Sequence, residues 1–233
     1  MTRAGGRLIV ALDVPNLRRA EQIANRLRGA VRYVKIGSVL FTAEGPRAVA
    51  RMRARGFQVF LDLKFHDIPS TVEKSCRSAA GLGIAMLTVH ASGGAEMIRA
   101  AVTGARDGAR GTGTRAPLIL GVTVLTSDGA GQAARTRARV MALAREITHA
   151  GAQGVVASAQ EVAMLRQQFG TRLRLICPGI RPPGAAPGDQ QRVATPAEAL
   201  QHGADFLVVG RPITAAVDPR AAVDAIIRDM EDA

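Results

Sequence analysis

A single-domain parallel (β/α)8 barrel of the TIM-barrel class, spanning residues 1–233, is the fold this sequence predicts, and three observations predict it. Eight short apolar runs recur along the 233 residues, with amphipathic helical patterns between them. No Gly-x-Gly-x-x-Gly phosphate loop follows the first run, which argues against an open, doubly wound sheet. The chain is 47% hydrophobic, with no low-complexity tract and no change of composition that would mark a linker.

The elements follow in order. Leu8–Asp13 is a buried strand that ends in an acid, and Arg18–Leu27 is the amphipathic helix after it. Tyr33–Ile36 is the second strand, with Lys35 near its end, followed by a helix over Pro46–Arg55. Val59–Lys64 is the third, followed by a helix over Ser70–Leu82 that presents Lys74 to solvent. Met86–His90 leads into a helix over Ala95–Arg106, after which Ala109–Ala116 reads as loop. Leu118–Val122 is the fifth strand, Ser127–Thr136 reads largely as loop, and Arg135–Ala150 is helical. Gly154–Ala157 precedes a helix over Glu161–Phe169, where Ser158-x-x-Glu161 predicts a capping box. Arg172–Cys177 and Phe206–Val209 complete the eight strands. Between them Thr195-Pro196-x-Glu198 combines an N-cap, a proline at the first helical position and a capping glutamate.

Composition narrows the function. The net charge is +12, which raises nucleic-acid binding as a possibility. The arginines are scattered over helix faces, however, and aromatics are only 3%, so base-stacking platforms are scarce. An anionic small molecule suits a basic site equally well. The longest early apolar run, Leu8–Leu12, is too short to span a membrane, and no signal-peptide core follows Arg3 and Arg7; a cytoplasmic protein is expected. Cys76 and Cys177 have no metal-ligand neighbours and no two histidines have ligand spacing, so reduced thiols and no metal are expected.

The chemistry concentrates in Asp62-Leu-Lys64-Phe-His-Asp67. Asp62 and Lys64, at i and i+2 on a strand, point to one face, and Asp67 follows on the loop before Pro69. Charges on an apolar strand require partners. A structural ion pair is the plainer reading, and a catalytic charge array is the one the rest of the chain favours. Of 31 basic residues only Lys35, Lys64 and Lys74 are lysine. Lysine can release a proton and arginine effectively cannot, so two lysines at strand ends are chemically pointed choices.

In such barrels the active site lies at the carboxyl ends of the strands. Asp13, Lys35, the Asp62–Lys64–Asp67 group, His90, Thr123, Thr126 and Ser127 fall there. So do Pro178-Gly-Ile-Arg181, with a Pro/Gly-rich stretch at 182–188 long enough for a lid, and Gly210-Arg211-Pro212. Two glycine-bearing loops with one arginine each after the last two strands predict a phosphate site. His90 reads as a core histidine capping the next helix, and His66, His149 and His202 as loop or surface residues.

The segment Asp62-x-Lys64-x-x-Asp67-Ile-Pro-x-Thr71 resembles the signature of the orotidine 5'-phosphate decarboxylase family. Leu12-Asp13, Val34-Lys35-Ile-Gly37, Val89-His90-Ala-Ser-Gly-Gly94, Val122-Thr-Val-Leu-Thr126-Ser127, Pro178-Gly-Ile-Arg181-Pro and Gly210-Arg211-Pro resemble it in the same order. The resemblance implies a cofactor-independent carboxy-lyase that converts orotidine 5'-monophosphate to uridine 5'-monophosphate in pyrimidine biosynthesis. It implies that Lys64 protonates C6, that Asp62 lies against the departing carboxylate, and that Asp13 and Lys35 hold ribose hydroxyls. Thr126 would contact the pyrimidine, and Arg181, Gln190, Gly210 and Arg211 the phosphate. It also implies a homodimer with shared sites, in which Asp67 and Thr71 enter from the partner. Metal-dependent sugar-phosphate decarboxylases or aldolases of the same barrel superfamily share the Asp-x-Lys-x-x-Asp pattern and are the alternative.

Overall fold

The computed structural model of the chain describes residues 1–124, 133–182 and 193–233. Its strands form where β-branched and apolar residues run without a break, as parallel strands covered on both faces require. They are β1 (Leu8–Ala11), β2 (Tyr33–Gly37), β3 (Gln58–Phe65), β4 (Met86–His90), β5 (Leu118–Val122), β6 (Gly154–Val156), β7 (Arg174–Cys177) and β8 (Phe206–Val209). They pair in parallel in chain order, and β8 returns to β1 through Leu8 opposite Leu207, closing the barrel. This is the predicted (β/α)8 architecture.

Side-chain alternation sorts each strand into two cores. Ile9, Ala11, Phe60, Met86, Leu120, Ile176 and Val208 point inward and fill the barrel. Leu8, Val10, Val34, Leu61, Leu87, Leu175 and Leu207 point outward and pack under the helices. Continuing the inward series toward the carboxyl ends gives Asp13, Lys35, Asp62, Thr88 and His90, so the polar layer sits directly on the apolar plug.

The helices differ from expectation at their ends. Asn16 caps α1 (Leu17–Leu27), its Oδ1 accepting the Arg19 N–H at 3.0 Å, and Leu17, Ala20, Ile23, Ala24 and Leu27 form the buried stripe. Two short helices, α2 (Ser38–Glu44) and α3 (Pro46–Arg53), fill the span after β2. After α4 (Pro69–Gly81), α5 runs Gly94–Thr112, well past the predicted end at Arg106 into a stretch read as loop. Gly108, just past that end, bears on this, and Gly104 inside the predicted helix plays the same part. A Cβ at either would run into the Glu73 or Arg77 backbone carbonyl of α4, so the glycines are contact points rather than helix stops.

Further along are α6 (Ala133–His149) and α7 (Ala159–Phe169). Ser158 caps α7, but its hydroxyl accepts the Gln160 N–H at 3.4 Å, while the Glu161 N–H bonds the Ser158 carbonyl. Gly170–Arg172 is a 3-10 turn, which delays β7 to Arg174. The Thr195–Glu198 capping box is complete at α8 (Pro196–Gln201). The fold ends in a single turn, α9 (Arg211–Thr214), and α10 (Pro219–Glu231). Among the described residues no helix is long and apolar enough to cross a membrane.

Candidate active site

Three strands and the loop after β1 deliver the charges and their buried partner. β1 ends at Ala11, so Asp13 stands in the loop, and Lys35 rises from β2 beside it. Lys35 Nζ lies 3.0 and 3.1 Å from the two Asp13 carboxylate oxygens and 3.3 Å from Asp62 Oδ2. Lys64 Nζ lies 2.9 Å from both Asp62 oxygens. The four form one chain, Asp13–Lys35–Asp62–Lys64, whose middle members are only 8% exposed. Gly37 makes room for it, since a Cβ there would come within 2.7 Å of Asp13 Oδ1 and 3.0 Å of Lys35 Nζ.

Burial pushes the Asp62 carboxyl up, but Lys35, Lys64 and the hydrogen bonds from Lys64 and Thr88 outweigh it and hold the group below the usual carboxylate range. Burial likewise disfavours charged Lys35, and Asp62 and Asp13 overcome it, leaving Lys35 above its ordinary value. The centre of the array is therefore charged across the neutral range.

The backbone under Lys64 is unusual. Lys64 has φ +50°, the one positive φ at a non-glycine among the described residues. The β3–β4 ladder pairs Leu61 with Leu87 and next Phe65 with Val89, so residues 62–64 bulge against Thr88 alone. Thr88 is fully buried, and its hydroxyl accepts the Lys64 N–H at 2.9 Å and donates to Asp62 Oδ1 at 2.9 Å. Thr88 is absent from the site residues that the sequence suggests. A signal for it exists in the chain: a hydroxyl at an inward position, one strand away from Asp62.

Opposite the array, Arg181 and Arg211 border the same cavity of about 620 Å³, together with Phe60, Val122, Val156, Val208, Pro178, Gly179 and Gly210. Burial, then the like charge of Arg211, disfavours the charged form of Arg181. Such a cluster of positive charge is suited to a dianion. The Arg181 N–H bonds the Ala194 carbonyl at 3.0 Å, tying the start of the loop after β7 to its end. Thr126, Ser127, Gln190 and the candidate lid after Pro182 lie outside the described residues.

Asp67 and Thr71 do not join the array of their own chain. Both are exposed, and the Asp67 carboxylate accepts the adjacent Ile68 N–H at 2.6 Å. Thr123 donates instead to the Val156 carbonyl at 3.0 Å. His90 was expected to cap the next helix, but its side chain makes no capping bond. It is half-buried at the end of β4, directly before a 3-10 turn at Ala91–Gly93, and its ring lies tilted at 41° against that of exposed His66, the centroids 5.3 Å apart. Burial, then His66 and Lys64, favour its neutral form. Burial pushes the Cys76 and Cys177 thiols up to about 12.

A closed parallel barrel carrying an alternating acid–lysine array at the carboxyl ends of its strands is an enzyme of the (β/α)8-barrel class. Comparison narrows the class. The family described as Orotidine 5'-phosphate decarboxylase / HUMPS matches residues 6–226, and the chain belongs to it. Proteins named orotidine 5'-phosphate decarboxylase from Anaeromyxobacter dehalogenans and Halorhodospira halophila are 52% and 49% identical to it. The first alignment covers 94% of this chain and 96% of the relative, the second 96% and 95%. The crystal structure of orotidine 5'-phosphate decarboxylase from Lactobacillus acidophilus is similar with a TM-score of 0.84 at 37% identity, covering 97% of this chain and 99% of that one.

Proposed function

We propose that this protein decarboxylates orotidine 5'-monophosphate to uridine 5'-monophosphate and CO2, in the cytoplasm and as a single barrel domain. One observation carries the reading: Lys64 Nζ held 2.9 Å from both oxygens of a buried carboxylate, at the mouth of a barrel whose other rim carries two arginines. The reaction breaks the bond from C6 to the carboxylate, leaves the electron pair on C6 and releases CO2. No adjacent group delocalises that pair, so fixed positive charge and a ready proton must do the work. The Lys64 ammonium supplies both: it attracts the developing carbanion, then transfers a proton to C6. Asp62 lies against the departing carboxylate and fixes Lys64. Lys35, paired with both Asp62 and Asp13, completes the array.

The remaining roles follow the family resemblance. Asp13 and Lys35 hold ribose hydroxyls, Thr126 contacts the pyrimidine, and Arg181, Gln190, Gly210 and Arg211 hold the phosphate. Phosphate binding contributes remote interaction energy that is spent at the reacting carbon. Asp67 and Thr71 serve the site of a second copy in a homodimer. Their exposure, and that of Ile68 at 65%, supports this.

The family description joins the decarboxylases to a second group, and the metal-dependent sugar-phosphate decarboxylase or aldolase is the second reading. The shared name of the relatives favours the nucleotide enzyme. The test follows the ultraviolet absorbance of orotidylate with purified protein and no added cofactor, with and without a chelator. Loss of absorbance in both samples is expected. An inactive protein, or activity abolished by the chelator, overturns the reading.

A further inference from the structure

We propose that Thr88 is a positioning residue for the decarboxylation, fixing the acid and the lysine of the array relative to each other; this rests on the proposed function above. The bulge in β3 sets residues 62–64 against a single residue of β4, which takes the Lys64 N–H away from its ladder partner. A buried N–H without an acceptor is costly, and the Thr88 hydroxyl receives it. The hydroxyl has one proton, and that proton goes to Asp62 Oδ1. One side chain therefore sets both the backbone of Lys64, held at φ +50°, and the carboxylate on which Lys64 Nζ rests. Threonine suits the task, because its branched Cβ leaves few rotamers and its methyl group packs where the hydroxyl does not. Thr88 is fully buried and not among the residues lining the cavity, so it acts through Asp62 and Lys64 rather than on substrate.

The experiment compares Thr88→Val, Thr88→Ser and wild type in orotidylate turnover. Valine keeps the shape and removes both hydrogen bonds, whereas serine keeps both. For Thr88→Val, kcat should fall about 10- to 100-fold with KM within about threefold, as expected when reacting groups are displaced rather than binding groups lost. The acid limb of its kcat–pH profile should also move to higher pH, because Asp62 loses a bond that favours its charged form. Thr88→Ser should recover most of the rate and the wild-type profile. If Thr88→Val does not fold, Thr88→Cys, a weak donor of similar size, should show the same split to a lesser degree. Wild-type kcat in the folded valine or cysteine variant, a loss confined to KM, or a serine variant as impaired as the valine one would overturn the assignment. An inactive wild type would overturn the proposed function and this inference together, whereas an active wild type with an unaffected valine variant would sink the role of Thr88 alone.

Discussion

Lys64 is where conformation and chemistry meet. A side chain at φ +50° costs of order 1 kcal/mol or more and persists only where its surroundings over-determine it. Here Thr88 holds the N–H and Asp62 the ammonium. Lys64→Ala should abolish orotidylate turnover with the barrel intact, as judged by circular dichroism and thermal melting. Lys64→Arg should fail as well, at least about 1000-fold down, because arginine keeps the charge but does not release a proton. An active Lys64→Arg variant would remove Lys64 from the role of proton donor. The charged members of this site were legible in the sequence, because lysine and aspartate at the ends of apolar strands are conspicuous. Thr88 was legible only as a hydroxyl at an inward strand position, because its two bonds depend on a bulge that no local pattern announces. Gly37 belongs to a motif in the sequence, but its use emerges only when the Asp13–Lys35 pair is seen to fill the place of its missing Cβ.

At the level of elements, the packing of α4 on α5 supports the loop after β3. The two helices approach closely because Gly104 and Gly108 lay bare backbone opposite the Glu73 and Arg77 carbonyls. Alanine would raise helix propensity by about 1 kcal/mol but force these backbones apart. Gly104→Ala should therefore destabilise by about 1–3 kcal/mol in urea unfolding, with an unchanged m-value. Gly111, exposed on the same helix with open space where a Cβ would stand, gives the opposite control: Gly111→Ala should be neutral or stabilise by up to about 1 kcal/mol. A Gly104→Ala protein as stable as wild type would show that the contact yields. Gly108 also bears on the helix end: it lies just past Arg106, where a glycine looks like a stop signal, and only the neighbouring helix reveals its use. The eight strands were legible throughout, because burial on both faces demands unbroken apolar runs. Their ends shifted by a few residues where turns such as Gly170–Arg172 intervened.

For the whole molecule, the proposed dimer makes a prediction that a monomer cannot meet. Lys64→Ala and Asp67→Asn should each be inactive alone. Mixed and allowed to exchange subunits, they should recover about a quarter of wild-type activity, because in each two-fold hybrid one site receives both defects and the other receives neither. No recovery after confirmed exchange would mean that Lys64 and Asp67 serve the same chain's site. The barrel as a whole was legible from the alternation of its elements, while the proposed dimer rests on the family resemblance and on an exposed Asp67, beside an exposed Ile68, that does not join the array of its own chain. The molecule's reliance on arginine has a practical outcome. Among its side chains a reagent that acylates primary amines meets three targets: Lys74 is open to solvent on α4, Lys35 is sealed between two carboxylates, and Lys64 is about one-third exposed at the cavity. Tethering through Lys74 thus leaves the array untouched, and acylation mapped to Lys64 itself, told apart from that at Lys74 and at the terminal amine by peptide analysis, reports the array directly, which turns an ordinary labelling reagent into a probe of the protein's own lysines.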